Sequence, residues 1–334
     1  MLSAGHLVAA EQLQLPVGIP SQKAVIESAS FKVKNKKQQI HIQAGRVQLT
    51  FDQNNGVLTS YQLNGEELLK EDVRPFFWRA VTDNDLGNSA PSRLNIWKEA
   101  GERMQAGSCE IMKQTDDYVQ IASTLTDEKS ESVMKTIYTV YADGTLKVDN
   151  QFTAGSSKLP ELPRLGMKVL LDPSLNQVEW LGRGPHENYA DRNTSAFVGH
   201  YSGTVWNQYF PYVRPQETGN KTDVRWMSVT NENGNGLLIQ GAPTISANVL
   251  PFRYEELYHK RKDDPNKHGG SIQQGPVNTL FVDYAQIGVG GDNSWGARVH
   301  PEYCIPARNY SYSFTIIPLS RKSDSSAVGR VIYD

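Results

Sequence analysis

The chain has 334 residues with 34 Lys+Arg against 36 Asp+Glu, a formal charge of −2, and 38% hydrophobic residues. That balance excludes a nucleic-acid binder driven by phosphate neutralisation, and no apolar run approaches the roughly 18 residues a membrane helix needs. Two cysteines, Cys109 and Cys304, leave one optional bridge and exclude both a disulfide scaffold and a cysteine-based zinc site.

The opening MLSAGHLVAAEQLQLP lacks the basic and apolar regions of a signal peptide. Leu7 to Leu15 reads as a strand with no partner before it, ended by Pro16 and Pro20, and the stretch that follows reads as a linker. Such a strand is expected either in a fragment whose upstream part is missing or as a terminal strand pairing with the main body.

From there the pattern is strands and turns. RVQLTFD alternates Val47, Leu49 and Phe51 against polar neighbours, the period of a half-buried strand. Asn55-Gly56, Asn64-Gly65, Asp143-Gly144 and Asn233-Gly234 supply the positive φ of tight hairpins. SRLNIWKEAGE is the best helix candidate, with Ser92 as N-cap and Gly101 as stop. NYSYSFTII places Tyr310, Tyr312, Phe314 and Ile316 on one face. RKSDSSAVGRVIYD, residues 321–334, reads as a polar tail. Many strands without alternating helices predict an all-β fold, a large antiparallel two-sheet β-sandwich.

Compact catalytic motifs are absent: no Lys-bearing phosphate loop, HExxH, CxxC or GxSxG. Three non-periodic segments instead concentrate aromatic, Gly, Pro and charged residues, as binding loops on rigid scaffolds do. They are RPFFWRAVTDNDLGN (74–88), LGRGPHENYADR with the following PYVRPQETGNKTDVRW, and GVGGDNSWG (288–296). His186-Glu187 is the best acid/base pair. The alternative is that these two join Asn188, Tyr189, Asp191 and Arg192 in a structural loop network, the commoner fate of polar loop clusters. Trp295 sits among glycines and polar residues, where no apolar period would bury it, and an indole so placed is a platform for a sugar face. Trp78, Trp180, Trp226, Trp97 and Trp206 are assigned to core or rim.

AGHLVAAEQ, FFWRAVTDNDLGN, LPRLGMKV, WLGRGPHENYADR, PYVRPQETGNKTDVRW and GVGGDNSWG together resemble the C-terminal region of the large lac-type β-galactosidases, glycoside hydrolase family two, over residues 4 to about 318. The resemblance implies the supersandwich also seen in galactose mutarotase-like proteins, residues 31–320, preceded by a remnant of an Ig-like domain in residues 1–30. Family members hydrolyse β-galactosides with retention, using two glutamates about 5 Å apart on a (β/α)₈ barrel. A barrel takes about 250 residues, for which this all-β chain has no room. The chain by itself is therefore expected not to cleave lactose, and a fragment of a longer chain is favoured over a natural small subunit.

The resemblance gives Trp295 the role of stacking on the sugar in the aglycone subsite, with Asp292, Asn293 and Ser294 shaping the loop and contributing to substrate binding. Arg79, Asp83, Asn84 and Asp85, and likewise His186, Glu187, Asn188 and Arg192, are expected to structure loops or domain contacts. His186 stands where many relatives carry Gln; a neutral amide does no acid/base work, which weakens a catalytic reading. No cofactor is implied here, since full-length relatives hold Mg²⁺ and a monovalent cation on other domains. The implied partners are the barrel and N-terminal domains in cis, or a large subunit in trans, and a galactoside substrate. The competing readings are a free-standing carbohydrate-binding module and an aldose 1-epimerase, which needs a Glu and a His facing a sugar ring; His186, His259 and His268 are its candidates.

Overall fold

A computed structural model describes residues 3, 5–15, 18, 21–26, 31–258, 263–264, 267–293 and 295–333. Antiparallel strands dominate them. The strands Phe31–Lys36, Gln39–Ala44, Val47–Asp52, Val57–Leu63 and Glu66–Glu67 form a five-stranded meander. The second sheet has 12 strands, running from Phe197–Thr204 at one edge to Gln105–Gln114 at the other.

The hairpin dipeptides do what their chemistry allows. Gly56, Gly65, Gly144 and Gly234 have φ of 69°, 85°, 93° and 74°, each in the turn between paired strands. The turn between Phe31–Lys36 and Gln39–Ala44 manages without glycine, with Lys37 and Gln38 both at positive φ. That hairpin carries no dipeptide signal in the sequence.

Period-two alternation sets the core. Ile40, Ile42, Leu49 and Phe51 from the meander meet Tyr138, Val148, Met227, Ile239 and Phe314 from the large sheet in one apolar cluster. Each fully buried large side chain contributes about 1.5–3 kcal/mol. Tyr310, Tyr312, Phe314 and Ile316 are all buried, as their alternation predicts. Trp78, Trp97, Trp180 and Trp226 are buried, whereas Trp206 is 44% exposed and packs edge-on against Tyr209. Cys109 and Cys304 are free thiols.

The 15-residue strand Gly236–Leu250 organises the far end of the large sheet. Its first half pairs with Tyr310–Leu319 and its second half with Asn278–Gln286. The switch opens a branch, in which Arg164–Leu171 lies between Asn278–Gln286 and the short strand Arg74–Phe76. Arg74–Phe76 and Asn278–Gln286 thus emerge from one part of the sheet, and two of the flagged loops start from their ends.

Three sequence expectations are corrected. The described residues between 5 and 15 form no strand: Leu7, Val8, Leu13 and Leu15 are all exposed. The Gln12 amide does reach a neighbouring strand, exchanging two hydrogen bonds with the Val198 backbone on the sheet edge. A side-chain amide satisfies one residue of an edge and builds no ladder.

The expected helix from Ser92 is broken into three short pieces, Ala90–Arg93, Asn95–Trp97 and Ala100–Arg103. The buried residues Leu94, Trp97 and Ala100 are spaced by three, the period of a 3₁₀ turn. Gly101 is no stop signal; it lies inside the third piece, where a β-carbon would sit 1.9 Å from the Pro75 carbonyl oxygen. Close backbone approach, not chain termination, requires glycine there.

The stretch 321–334 is not a loose tail across its described residues. It forms the short helix Ser325–Val328 and the strand Val331–Ile332, which pairs in parallel with Gln22–Lys23. Gly329 packs onto the Trp226 ring, and Tyr333 donates to Asp143 at 3.0 Å.

Candidate functional site

The three flagged segments converge at one rim of the large sheet. The first leaves Arg74–Phe76 and enters the short helix Asp83–Gly87. Thr82 caps that helix, and Thr82 and Asp85 form a reciprocal capping box. The buried Asp85 also takes a forked contact from Arg79, with Nη2 2.8 Å from Oδ1 and Nε 3.2 Å from Oδ2. Burial works against the Arg79 charge, and the facing Asp85 outweighs it, so the guanidinium holds its proton more tightly than usual. Its third contact leaves the segment: Nη1 donates to the Ile287 carbonyl at 2.6 Å.

The second segment is anchored by acceptors. Glu187 accepts from Arg192 Nη2 at 2.6 Å, Thr218 Oγ1 at 2.9 Å, the Gly219 amide at 2.7 Å and the Tyr212 hydroxyl. Burial raises the Tyr212 phenol, and its bond to Glu187 adds to the rise. Asn188 is wholly buried; its Oδ1 accepts from the Thr222 amide and hydroxyl, and its Nδ2 donates to the His186 carbonyl. His186 itself is exposed, with Nε2 3.3 Å from Ser195 Oγ. The Glu187 carboxylate is spent on loop donors and His186 faces a hydroxyl, so the two residues make no acid/base pair with each other. His259 lies outside the described residues.

The third segment lies in the stretch 287–300, whose described residues form no helix or strand, and its base is clamped by the other two. Asn84 Nδ2 donates to the Val289 carbonyl at 3.0 Å. Asp191 accepts from the Val289 amide at 2.9 Å and from the Gly290 amide at 2.7 Å. Further out, Asn293 Oδ1 accepts from the Trp295 and Ala297 amides, and Asp292 Oδ2 lies 2.6 Å from His300 Nε2. The first and second segments are joined directly: Asp83 Oδ1 is 3.1 Å from Arg214 Nη1, and Gln216 bonds to both the Asp83 backbone and its carboxylate. Ser294 lies outside the described residues.

At the tip stands Trp295, 91% exposed. Water at an indole is costly, and a loop this tethered holds the ring out instead of letting it collapse onto the sheet. The nearby carboxylates Asp85, Asp191 and Glu187 are each engaged by two or more donors. Among the described residues no group of three His, Cys, Asp or Glu is placed to hold a metal ion. The arrangement therefore offers an apolar stacking face on a fixed polar base.

Sequence reasoning did not single out Asp191 as a site residue or Gln216 as a bridge, although both lie in flagged segments. It also missed a wholly buried ionic cluster beneath the rim. Arg164 Nη2 lies 3.2 Å from both Glu217 oxygens, and its Nε is 3.4 Å from Asp283 Oδ2. Gln286 and the Tyr254 hydroxyl complete the Glu217 environment. Burial pushes the Asp283 carboxyl up to about 8; Arg164 pulls against that rise and Glu217 adds to it. Nothing in strand alternation signals that residues so far apart in the chain share one site.

Residues 43–316 match the family model described as β-galactosidase small chain. The chain belongs to the β-galactosidase small-chain family. A β-galactosidase of Priestia megaterium (strain DSM 319) is 40% identical over 320 residues, which cover 95% of this chain and 30% of that protein. One of Vibrio cholerae is 30% identical over 325 residues, covering 94% of this chain and 30% of the relative. The small-chain region thus spans under a third of the length of the curated relatives it matches. A galactose mutarotase-like protein of Clostridium acetobutylicum aligns in structure at 12% identity and a TM-score of 0.48, over 87% of this chain and 98% of that one.

Proposed function

We propose that this small-chain domain is a non-catalytic part of a retaining β-galactosidase acting on terminal β-D-galactosides such as lactose. It completes an active site whose two glutamates lie on a barrel outside this chain. Trp295 stacks on the sugar of the aglycone subsite, and Asp292, Asn293 and Ser294 shape the tip that presents it. Arg79, Asp83, Asn84, Asp85, His186, Glu187, Asn188 and Arg192 structure the supporting loops and the contact with the remaining domains. The partners are those domains, in cis or as a large subunit in trans, and the galactoside. The observation that carries this reading is a 91% exposed indole on a loop whose base is held by side chains from two other loops.

The test has two arms. The purified chain alone turns over no chromogenic o-nitrophenyl β-galactoside, and turnover appears when the rest of the enzyme is supplied. Hydrolysis that follows this chain through repurification would overturn the non-catalytic assignment. In the complete enzyme, Trp295→Ala lowers kcat/KM for lactose several-fold, since one stacked ring contributes about 1 kcal/mol. Lactose turnover unchanged in that variant would remove Trp295 from the subsite.

A further inference from the structure

The position of Trp295 depends on how the base of its loop is fixed. Residues 287–291 leave the sheet without a ladder partner for every polar group, so their amides and carbonyls need others. Ile287 and Gly288 find backbone acceptors in Pro163 and Tyr303, at 3.0 Å each. The next two amides, Val289 and Gly290, both point at one carboxylate, Asp191, at 2.9 and 2.7 Å, one on each oxygen. Two successive amides converging on an anion form a small nest, and an ionised acceptor makes each bond stronger than a neutral one.

The packing around this carboxylate is close. A β-carbon on Gly288 would lie 2.5 Å from Asp191 Oδ2, so any larger residue there would push the carboxylate from its present position. Beyond the nest the backbone turns at Gly290 and Gly291, with φ of 69° and 129°; the second value is one that side-chain-bearing residues rarely adopt. The loop thus pivots immediately after the Asp191 clamp, five residues before the exposed indole at position 295. Arg79 and Asn84 hold the carbonyls of Ile287 and Val289, while Asp191 holds two amides, one on each carboxylate oxygen, a task that a donor-only side chain such as Arg or Lys cannot perform.

We infer that Asp191 is the positioning residue of the sugar-stacking loop: its carboxylate, by binding the Val289 and Gly290 amides, fixes where Trp295 stands. This rests on the aglycone role of Trp295 proposed above, and it assigns to Asp191 a control over substrate preference that Trp295 alone executes. Asp191→Asn keeps the volume but places an NH₂ group against one of two amide donors, so one bond is replaced by a donor–donor conflict.

The experiment is a double-mutant cycle in the complete enzyme, comparing lactose with methyl β-galactoside, which lacks an aglycone sugar. Asp191→Asn lowers the lactose-to-methyl-galactoside ratio of kcat/KM by up to about fivefold, the most that loss of the stacked ring could cost, but by less than about twofold when Trp295→Ala is already present. Equal losses for both substrates, or the same loss of ratio in both backgrounds, would mean that Asp191 supports the fold only, and would overturn the inference. If Trp295→Ala leaves the ratio unchanged, the aglycone reading fails, and positioning is then decided by ¹⁹F NMR of the 5-fluorotryptophan-labelled chain. The Trp295 resonance, assigned by its loss in Trp295→Phe, narrows in Asp191→Asn as the ring gains motion; an unchanged linewidth overturns the inference by that route too.

Discussion

Gly296 meets the Gly87 carbonyl so closely that a β-carbon on Gly296 would sit 2.7 Å from its oxygen, and the φ of Gly296 is +112°. Both facts demand glycine: the space is closed by backbone, and the conformation is one that side chains disfavour. The contact ties the far side of the Trp295 tip to the end of the helix Asp83–Gly87, opposite the Asp191 clamp.

Gly296→Ala is therefore expected to displace the loop instead of unfolding the domain. A strained backbone position costs about 1–3 kcal/mol, and an exposed loop relieves it by moving. Calorimetry should show the melting temperature falling by a few degrees at most, while hydrogen exchange accelerates in residues 287–300. Unchanged exchange there, with a large loss of melting temperature, would place the strain in the sheet.

Trp295 contributes little to stability. With 91% of its surface exposed it buries almost no apolar area, so Trp295→Ala should change the unfolding free energy by no more than about 0.5 kcal/mol. Urea unfolding of the isolated chain measures this directly. A loss above about 2 kcal/mol would mean that the indole packs against the domain in solution.

The sheets were legible because their signals are local. Val47, Leu49 and Phe51 report a face by alternation alone, and Asn64-Gly65 reports a turn by the φ values that only such residues accept cheaply. The exposed tip was legible for the converse reason: Trp295 stands where no period can bury it. What escaped was long-range. Asp191 reaches Val289 across 98 residues, and Arg164 reaches Asp283 from a neighbouring strand of the branch. Charge pairing across such distances leaves no periodic trace. The strand expected at Leu7–Leu15 failed because alternation describes a surface that could be buried and does not supply the neighbour that buries it.

Arg164, Glu217 and Asp283 predict a pH dependence with a definite sign. One guanidinium serves two wholly buried carboxyl groups. An unfolded Asp titrates near 3.9, and in the fold burial moves Asp283 up to about 8. A raised carboxyl pKa means the folded state binds the proton more tightly, so this group's contribution to stability falls as pH rises from about 4 toward 8. Asp283→Asn removes the titration, and urea unfolding should show the variant gaining on the parent between pH 5 and pH 8. A parallel offset at all pH values would refute the assignment. Arg164→Met instead strands Glu217 as a buried unpaired charge, and should cost about 3–5 kcal/mol.

His300 and Asp292 make a second titratable pair, at the opposite extreme of exposure. Nε2 lies 2.6 Å from Asp292 Oδ2, Glu302 stands 3.8 Å from Nδ1, and Asp191 adds its charge from the loop base. The hydrogen bond to Asp292 and its charge raise the imidazolium above its ordinary value near 6.5. With the folded value raised, the interaction is fully present below about pH 6.5 and fades as pH climbs through the folded value. Both groups are open to water, so the consequence is local ordering of the tip and is weakened by salt. Imidazole proton NMR should give His300 a midpoint above that of a free histidine. Asp292→Asn should lower that midpoint, and 0.5 M NaCl should narrow the difference between the two proteins. If the midpoint is the same with and without Asp292, the ion pair does not form in solution, and the tip is held without it by Asn293, the Gly296–Gly87 contact and the clamped base.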